Sequence, residues 1–412
     1  MSNHYDELET RSPEAREGAL MARLPGLVRH AAGHAPGWAE RLAGVDPESI
    51  CSRKSLAGLP VLRKSELHAL QTARPPFGGL ITVPVHELGA LYMSPGPLFD
   101  PEGRDDDPWR AVRALHAAGI RKGHVLQNCF GYHMTPGAWM VHHAARKMGC
   151  AVIPAGIGQT EQQLELIRMF KPDAFVGTPS FLRILIEKAR ETGADIGNLK
   201  RALVGAEALP PSLRQWFIDQ GLETVLQWYG TADLGLIAYE TEACEGMVLD
   251  EELILEIVRP GTDEPVADGE VGEVVVTSFN KVYPLIRFGT GDMSKVMPGP
   301  SPCGRTNVRI AGWMGRADQS TKVRGMFVRP EQIEALRKRF PELGRARLVI
   351  SGEMANDQMC LRAEVESAPA DLAEELVAAV RDITKLRADV ELVAPGSLPN
   401  DGKVIEDARR YD

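Results

Sequence analysis

The sequence predicts an α/β protein, with a large N-terminal α/β domain that includes a β-rich part over residues 1–317 and a small α+β domain over 318–412. Three changes of texture carry that prediction. From Val83 onward, short apolar strands alternate with amphipathic helices, the pattern of βαβ units on a mostly parallel sheet. From Leu253 the chain turns to strands alone. After Gly315 strands and helices return over roughly a hundred residues, enough for a separate domain.

Taken in order, the stretch up to Leu70 is helical, with Ala19, Leu20, Leu24, Leu27 and Val28 as one apolar stripe between charged residues. Residues 125–130 read as a strand and 137–148 as a helix, then 151–154 as a strand and 160–170 as a helix. The unit repeats at 174–177 with 179–189, and again at 201–205 with 211–220. Strands 253–258 and 272–277 follow, with Asp268-Gly269 as a hairpin-turn signal. In the last part 331–340 is helical, and 346–351 and 359–365 are strands. Residues 371–386 form an amphipathic helix on Leu372, Leu376, Val380 and Ile383, before a strand at 390–393. Gly315-Arg316-Ala317-Asp318 marks the boundary between domains.

A chain of 412 residues, 44% hydrophobic and 25% charged, buries ample core without a disulfide or metal staple. Its net charge of −9 and pI near 5.7 speak against nucleic-acid and membrane-surface partners, which call for basic patches. No apolar run reaches the roughly 18 residues of a membrane helix. The acidic start, Met1 to Glu7, lacks the basic and apolar regions of a signal peptide. The six cysteines contain no Cys-x-x-Cys pair and read as reduced thiols, so a cytoplasmic enzyme is expected.

Familiar catalytic motifs are missing. There is no Gly-x-x-x-x-Gly-Lys-Ser/Thr loop and no Gly-x-Ser-x-Gly elbow. Gly156-x-Gly158 lacks the third glycine of a dinucleotide fingerprint and reads as a tight strand-to-helix turn. His142 and His143 are adjacent on a helix, without the i, i+4 spacing of a zinc pair. What stands out are polar clusters just after strands, where α/β enzymes bind ligands: Gly205-Ala206-Glu207, Gln227 to Asp233, and Arg287 to Asp292.

In order and spacing these clusters resemble the phenylacetate–CoA ligase family of the adenylate-forming superfamily, which includes acyl-CoA synthetases, adenylation domains and luciferases. The likeness runs nearly end to end. It includes the leader Leu59-Pro60 to Lys64, Thr178-Pro179-Ser180, and Gly269-Glu270-Val271-Gly272-Glu273 through Pro284-Leu285-Ile286-Arg287 to Thr290-Gly291-Asp292. Cys303-Gly304-Arg305-Thr306, Gly315-Arg316-Ala317-Asp318, Arg324 to Val328 with Glu331 to Glu334, and Leu398 to Lys403 complete it.

The resemblance implies the adenylate-forming fold, with the C-terminal domain as a lid, and an ATP-dependent carboxylic acid–CoA ligase acting on an aromatic or similar acid. ATP, Mg2+ and coenzyme A are the expected cofactor and co-substrates, and a homodimer is a possible assembly. Lys403 matches the catalytic lysine, a cation between carboxylate and α-phosphate. Asp292 matches the acid that accepts both ribose hydroxyls. Gly205, Ala206, Glu207 and Tyr229 match the adenine site, Gly230 and Thr231 belong to the nucleotide-binding set, and Arg316 matches a phosphate or ribose contact. Asp233 stands where a glutamate usually binds magnesium, and Asp318 matches the hinge between adenylation and thiolation. Tyr132 and His133, with Ala155 and Gly156 opposite, match the walls of the acyl pocket. Read without the family, these residues also suit ordinary packing, turn and surface roles.

The likeness breaks at Tyr92 to Gly103, where the family has a Ser/Thr/Gly-rich phosphate loop with a lysine. Three prolines here remove N–H donors, and Asp100 and Glu102 add negative charge, leaving Arg104 or another cation to support ATP. Ala232 replaces a usual hydroxyl. Some relatives carry a cysteine–histidine metal cluster, for which this chain offers only Cys244 and Cys303. Two rivals therefore stay open: transfer of the adenylate to a non-CoA acceptor, and a catalytically silent ligand-binding relative.

Overall fold

The computed structural model describes residues 3–94, 96–317, 319–324, 326–352, 356–366, 369, 371–399 and 403–409. The chain forms two compact units, Met1–Ala206 with Gln215–Met314, and Glu207–Arg214 with Gly315–Asp412. Among the described residues, no helix is long and apolar enough to cross a membrane.

In the first unit the βαβ segments build most of a nine-stranded sheet. Val125–Asn128, Ala151–Ile153, Ala174–Gly177, Arg201–Val204 and Thr224–Thr231 run parallel, in the spatial order second, first, third, fourth, fifth. Gly235–Tyr239, Met247–Leu249, Arg309–Ile310 and Val296–Met297 extend the sheet antiparallel. The strand order reverses between the first and third parallel strands. In open α/β sheets the crevice outside the carboxyl ends at such a point is where ligands bind.

The helices are set by their apolar spacing and their ends. Gly137–Met148 buries Ala138, Val141, Ala144 and Ala145 and stops at Gly149, whose φ of +84° only glycine adopts without strain. Pro179–Thr192 starts at Thr178, whose hydroxyl accepts from Phe181 N at 3.3 Å, and ends at Gly193. Such an N-cap stabilises a helix by about 1 kcal/mol.

A second sheet of Leu62–Arg63, Phe288–Ser294, Gly272–Ser278 and Leu253–Val258 packs on the long helix Pro13–His34. Leu20, Leu24, Leu27 and Val28 share its core with Leu255, Ile257, Val274, Val276 and Phe288. Asp268-Gly269 is a turn, as expected, but it does not close a tight hairpin. The connection runs over 259–271 and folds back so that Val258 bridges Pro265. Ahead of the long helix, Glu9 is fully buried and takes Arg305 Nε at 2.6 Å and Tyr239 Oη at 2.5 Å, pinning the start of the chain.

In the second unit the strand order is Asp389–Val393, Gln358–Val365, Leu343–Ser351, Ile405–Asp407. Helices Pro330–Arg339 and Leu372–Thr384 pack on it through Ile333, Leu336, Leu372, Leu376 and Val380.

Candidate functional site

The Tyr229 and Asp292 motifs come together although 63 residues separate them in sequence. Tyr229 Oη donates to Asp292 Oδ2 at 2.8 Å, and Trp313 Nε1 donates to Asp292 Oδ1 at 3.3 Å. Thr290 Oγ1 accepts from Asp292 N at 3.1 Å, and Gly291 N donates to Glu273 Oε1 at 3.1 Å. The strand that carries Asp292 is anchored at its start by buried Arg287, which pairs with Glu256 at 3.0 Å and donates to Ala57 O at 2.8 Å. The carboxylate is therefore held at a fixed angle with an aromatic ring on one side, a suitable end for a diol beside a flat base.

The glycines of this region are required sterically. A Cβ at Gly205 would lie 2.6 Å from Trp228 Nε1, and one at Gly230 would lie 2.5 Å from Gly235 O. Ala206 holds a left-handed φ of +68°. Thr231 Oγ1 accepts from Leu234 N at 3.2 Å, which turns the chain toward Asp233.

The expected phosphate loop is a β-hairpin, Ala90–Ser94 paired with Leu98–Glu102. Its acids do not lie at the turn. Asp100 and Glu102 alternate inward with Tyr92 opposite Asp100, and both carboxyls are buried. Glu102 accepts from Tyr92 Oη at 2.6 Å and meets His143 Nε2 at 3.1 Å and Trp109 Nε1 at 3.3 Å. Burial pushes the Glu102 carboxyl up, but these bonds outweigh it and hold the group below the usual value. The bond to Glu102 raises His143 in turn. Arg104 lies outside this network and donates to Glu87 O at 2.9 Å.

The Asp100 carboxyl lies beside the hydroxyl and backbone N–H of Ser94, which pull it down only weakly. Burial first, and then the charge of Asp233, push its carboxyl up to about 7, with Lys64 pulling the other way. Lys64 Nζ pairs with Asp233 Oδ2 at 2.6 Å, and Asp233 Oδ1 is buried without a partner. Among the described residues, no group of three acids, histidines or cysteines could hold a metal by itself, Cys244 and Cys303 included. Magnesium usually takes one or two carboxylates plus substrate phosphates. The unclaimed hard oxygen of Asp233 fits that partial role.

Just after the strand Val125–Asn128, Tyr132 is locked. Its hydroxyl accepts from Asn128 Nδ2 at 2.9 Å and meets His142 Nδ1 at 3.1 Å, while Trp139 stands edge-on to its ring at 5.1 Å. His133 is exposed beside it. Ala155 and Gly156 follow the second parallel strand, and Gly156 N donates to Asn128 O at 3.0 Å, so the two segments expected to wall the acid meet through Asn128.

In the second unit, Arg316 lies over the Phe327 ring at 5.3 Å. Lys403 is exposed just before strand Ile405–Asp407. Glu207 begins the short piece that belongs to this unit. Asp318 lies outside the described residues, as do 400–402 ahead of Lys403. Lys64, Trp313 and the buried pair Gln127 and Gln163 drew no functional reading from sequence. Their local patterns are unremarkable, and Lys64 alone carried a signal, as the end of the leader motif.

Residues 112–281 match the family model of AMP-binding enzymes. The chain is 30% identical to the phenylacetate-coenzyme A ligase of Thermus thermophilus, over 96% of each chain. It is 33% identical to that of Pseudomonas putida, over 80% of this chain and 77% of the relative. The crystal structure of 2-hydroxyisobutyryl-CoA ligase in complex with 2-HIB-AMP and CoA matches at a TM-score of 0.85 and 28% identity, over 100% of this chain and 93% of that one.

Proposed function

The chain belongs to the phenylacetate–coenzyme A ligase family of AMP-binding enzymes, and on that premise we propose that it activates an aromatic carboxylic acid. It is an ATP-dependent acid–CoA ligase. A carboxylate oxygen attacks the α-phosphorus of ATP, pyrophosphate leaves, and the acyl-adenylate forms. The thiol of coenzyme A then attacks the acyl carbon, AMP leaves with the bonding pair, and the thiol proton passes to solvent. Likeness to relatives over nearly the whole chain carries the reading.

The residue roles follow from the demands of those steps. Asp292, held by Tyr229 and Trp313, accepts from the ribose hydroxyls. Tyr229 lines adenine together with Gly205, Ala206 and Glu207, and Gly230 and Thr231 complete the nucleotide site. Lys403 brings a cation to the attacking carboxylate, where two negative charges must approach. Arg316 contacts phosphate or ribose, and Asp318 serves as hinge for a lid over 318–412. Tyr132, His133, Ala155 and Gly156 wall the acid. Asp233 Oδ1 would hold magnesium against the phosphates, where the ion supplies charge neutralisation.

The inward packing of Asp100 and Glu102 supports turnover over the silent alternative, because no carboxylate then faces the phosphates from the hairpin turn. Pyrophosphate release over a panel of aromatic and aliphatic acids, with ATP and magnesium, tests the substrate class. Release with phenylacetate-like acids is expected; release only with aliphatic acids would contradict the aromatic assignment.

A further inference from the structure

The loop at 154–159 is held by one buried side chain. Gln163, in the first turn of helix Thr160–Phe170, is 1% exposed. Its Nε2 donates to Gly156 O at 2.8 Å and to Gly158 O at 2.9 Å. Its Oε1 accepts from Gln127 Nε2 at 2.9 Å and from Cys129 Sγ at 3.0 Å. Two N–H groups and two lone pairs are thus all used, which is the full capacity of an amide.

The loop needs such a clamp. Gly156, Gly158 and Gln159 have φ of +68°, +71° and +50°, so no regular ladder pairs their carbonyls. A side chain that places two N–H donors on one atom bridges both carbonyls at once. The result is that Ile157, between the two bridged glycines, is turned outward and is 72% exposed. Its Cγ2 lies 4.0 Å from where a Cβ on Gly131 would stand, in the other segment expected to wall the acid. An exposed branched apolar side chain fixed between two anchored peptides is a contact surface, which a mobile turn does not provide.

We infer that Gln163 is a positioning residue that sets acid selectivity by fixing loop 155–158, with Ile157 as the apolar contact to the acid. This rests on the reading of Ala155 and Gly156 as acid-pocket walls. Loss of the clamp frees Ile157 to move, so the acid is bound less well while the nucleotide is not affected.

Gln163→Met keeps the volume and removes all four hydrogen bonds. Kinetics with phenylacetate and the bulkier 2-naphthylacetate, read as AMP formation, should show the KM for phenylacetate rising about ten-fold, the scale of one or two lost buried hydrogen bonds. The KM for ATP should stay unchanged, and the preference between the two acids should shrink. Ile157→Ala, at an exposed position, separates the two layers of the argument. If Ile157→Ala changes the KM for acid and Gln163→Met does not, the positioning role is wrong and the pocket reading stands. If neither changes it, both fall. A lower melting temperature with the acid preference intact makes Gln163 purely structural and overturns the proposal. Should Gln163→Met not fold, Gln127→Met removes one anchor of the amide and leaves both loop bonds; a smaller shift of the same acid KM supports the role, and no shift overturns it.

Discussion

Lys64 Nζ sits 2.6 Å from Asp233 Oδ2, joining the end of the leader to the motif that carries Tyr229. Asp100 is the third member, so one ammonium faces two buried carboxyls. The hairpin, the leader and the nucleotide side of the unit therefore share a single charge balance.

Removing that ammonium leaves a buried carboxylate unpaired, a change that costs several kcal/mol in buried pairs. Lys64→Met is expected to destabilise the chain by about 3 kcal/mol, toward the low end because Lys64 is partly exposed. Asp233→Asn in the same background should recover much of the loss. Urea unfolding of the single and double variants measures both; an unchanged midpoint for Lys64→Met would show that the pair carries no stability.

Asp100 gives a pH dependence of defined sign. Its folded pKa is raised to about 7, so its contribution is fully present below the ordinary carboxylate range and is lost as pH rises toward 7. Asp100→Asn mimics the neutral form at every pH. Melting curves should therefore show the variant gaining on the parent chain from pH 5 to pH 8. A constant difference would mean that Asp100 is ionised throughout.

His143 has its own window. Because the bond to Glu102 raises its folded pKa, the pair stabilises fully below about 6.5, the ordinary histidine value, and its contribution fades as pH rises through the raised one. His143→Gln should be most destabilising at pH 6 and less so at pH 9, by thermal melts at both. The opposite trend would show that His143 is neutral in the folded chain.

Much of the fold is legible locally. The helix at 137–148 and the strands at 174–177 and 253–258 appear at the limits that apolar spacing sets, since 3.6 and 2.0 periods and the glycine at 149 are local signals. The strand order with its reversal between Val125–Asn128 and Ala174–Gly177 is long-range pairing and leaves no local trace. The Tyr92–Gly103 segment misleads because its prolines and acids read as a poor loop. Only the register, with Tyr92 opposite Asp100, shows the acids turned inward. In the site, motif residues such as Asp292 and Tyr229 carry a pattern. Trp313 acts through Asp292, 21 residues away, and Gln163 is anchored by Gln127 and Cys129, more than thirty residues away, and composition does not mark them.

The nucleotide end has a direct test. Asp292→Ala removes the acceptor held by Tyr229 and Trp313, and ATP affinity by calorimetry should fall at least about ten-fold, as expected for losing charge-assisted bonds. Equal affinity would remove the ribose role.

Lys403→Ala should lower adenylation by about two to three orders of magnitude, the scale of one preorganised electrostatic contact. Single-turnover formation of acyl-adenylate measures it, and far-UV circular dichroism should be unchanged. An unaltered rate would take the catalytic role from Lys403.

The most direct measurement of the central claim is product stoichiometry, with ATP, magnesium, phenylacetate and coenzyme A followed by mass spectrometry. The account predicts AMP and acyl-CoA in equal amounts, both abolished when the acid is left out. ADP in place of AMP, or acyl-adenylate that accumulates without any thioester when coenzyme A is present, would contradict it.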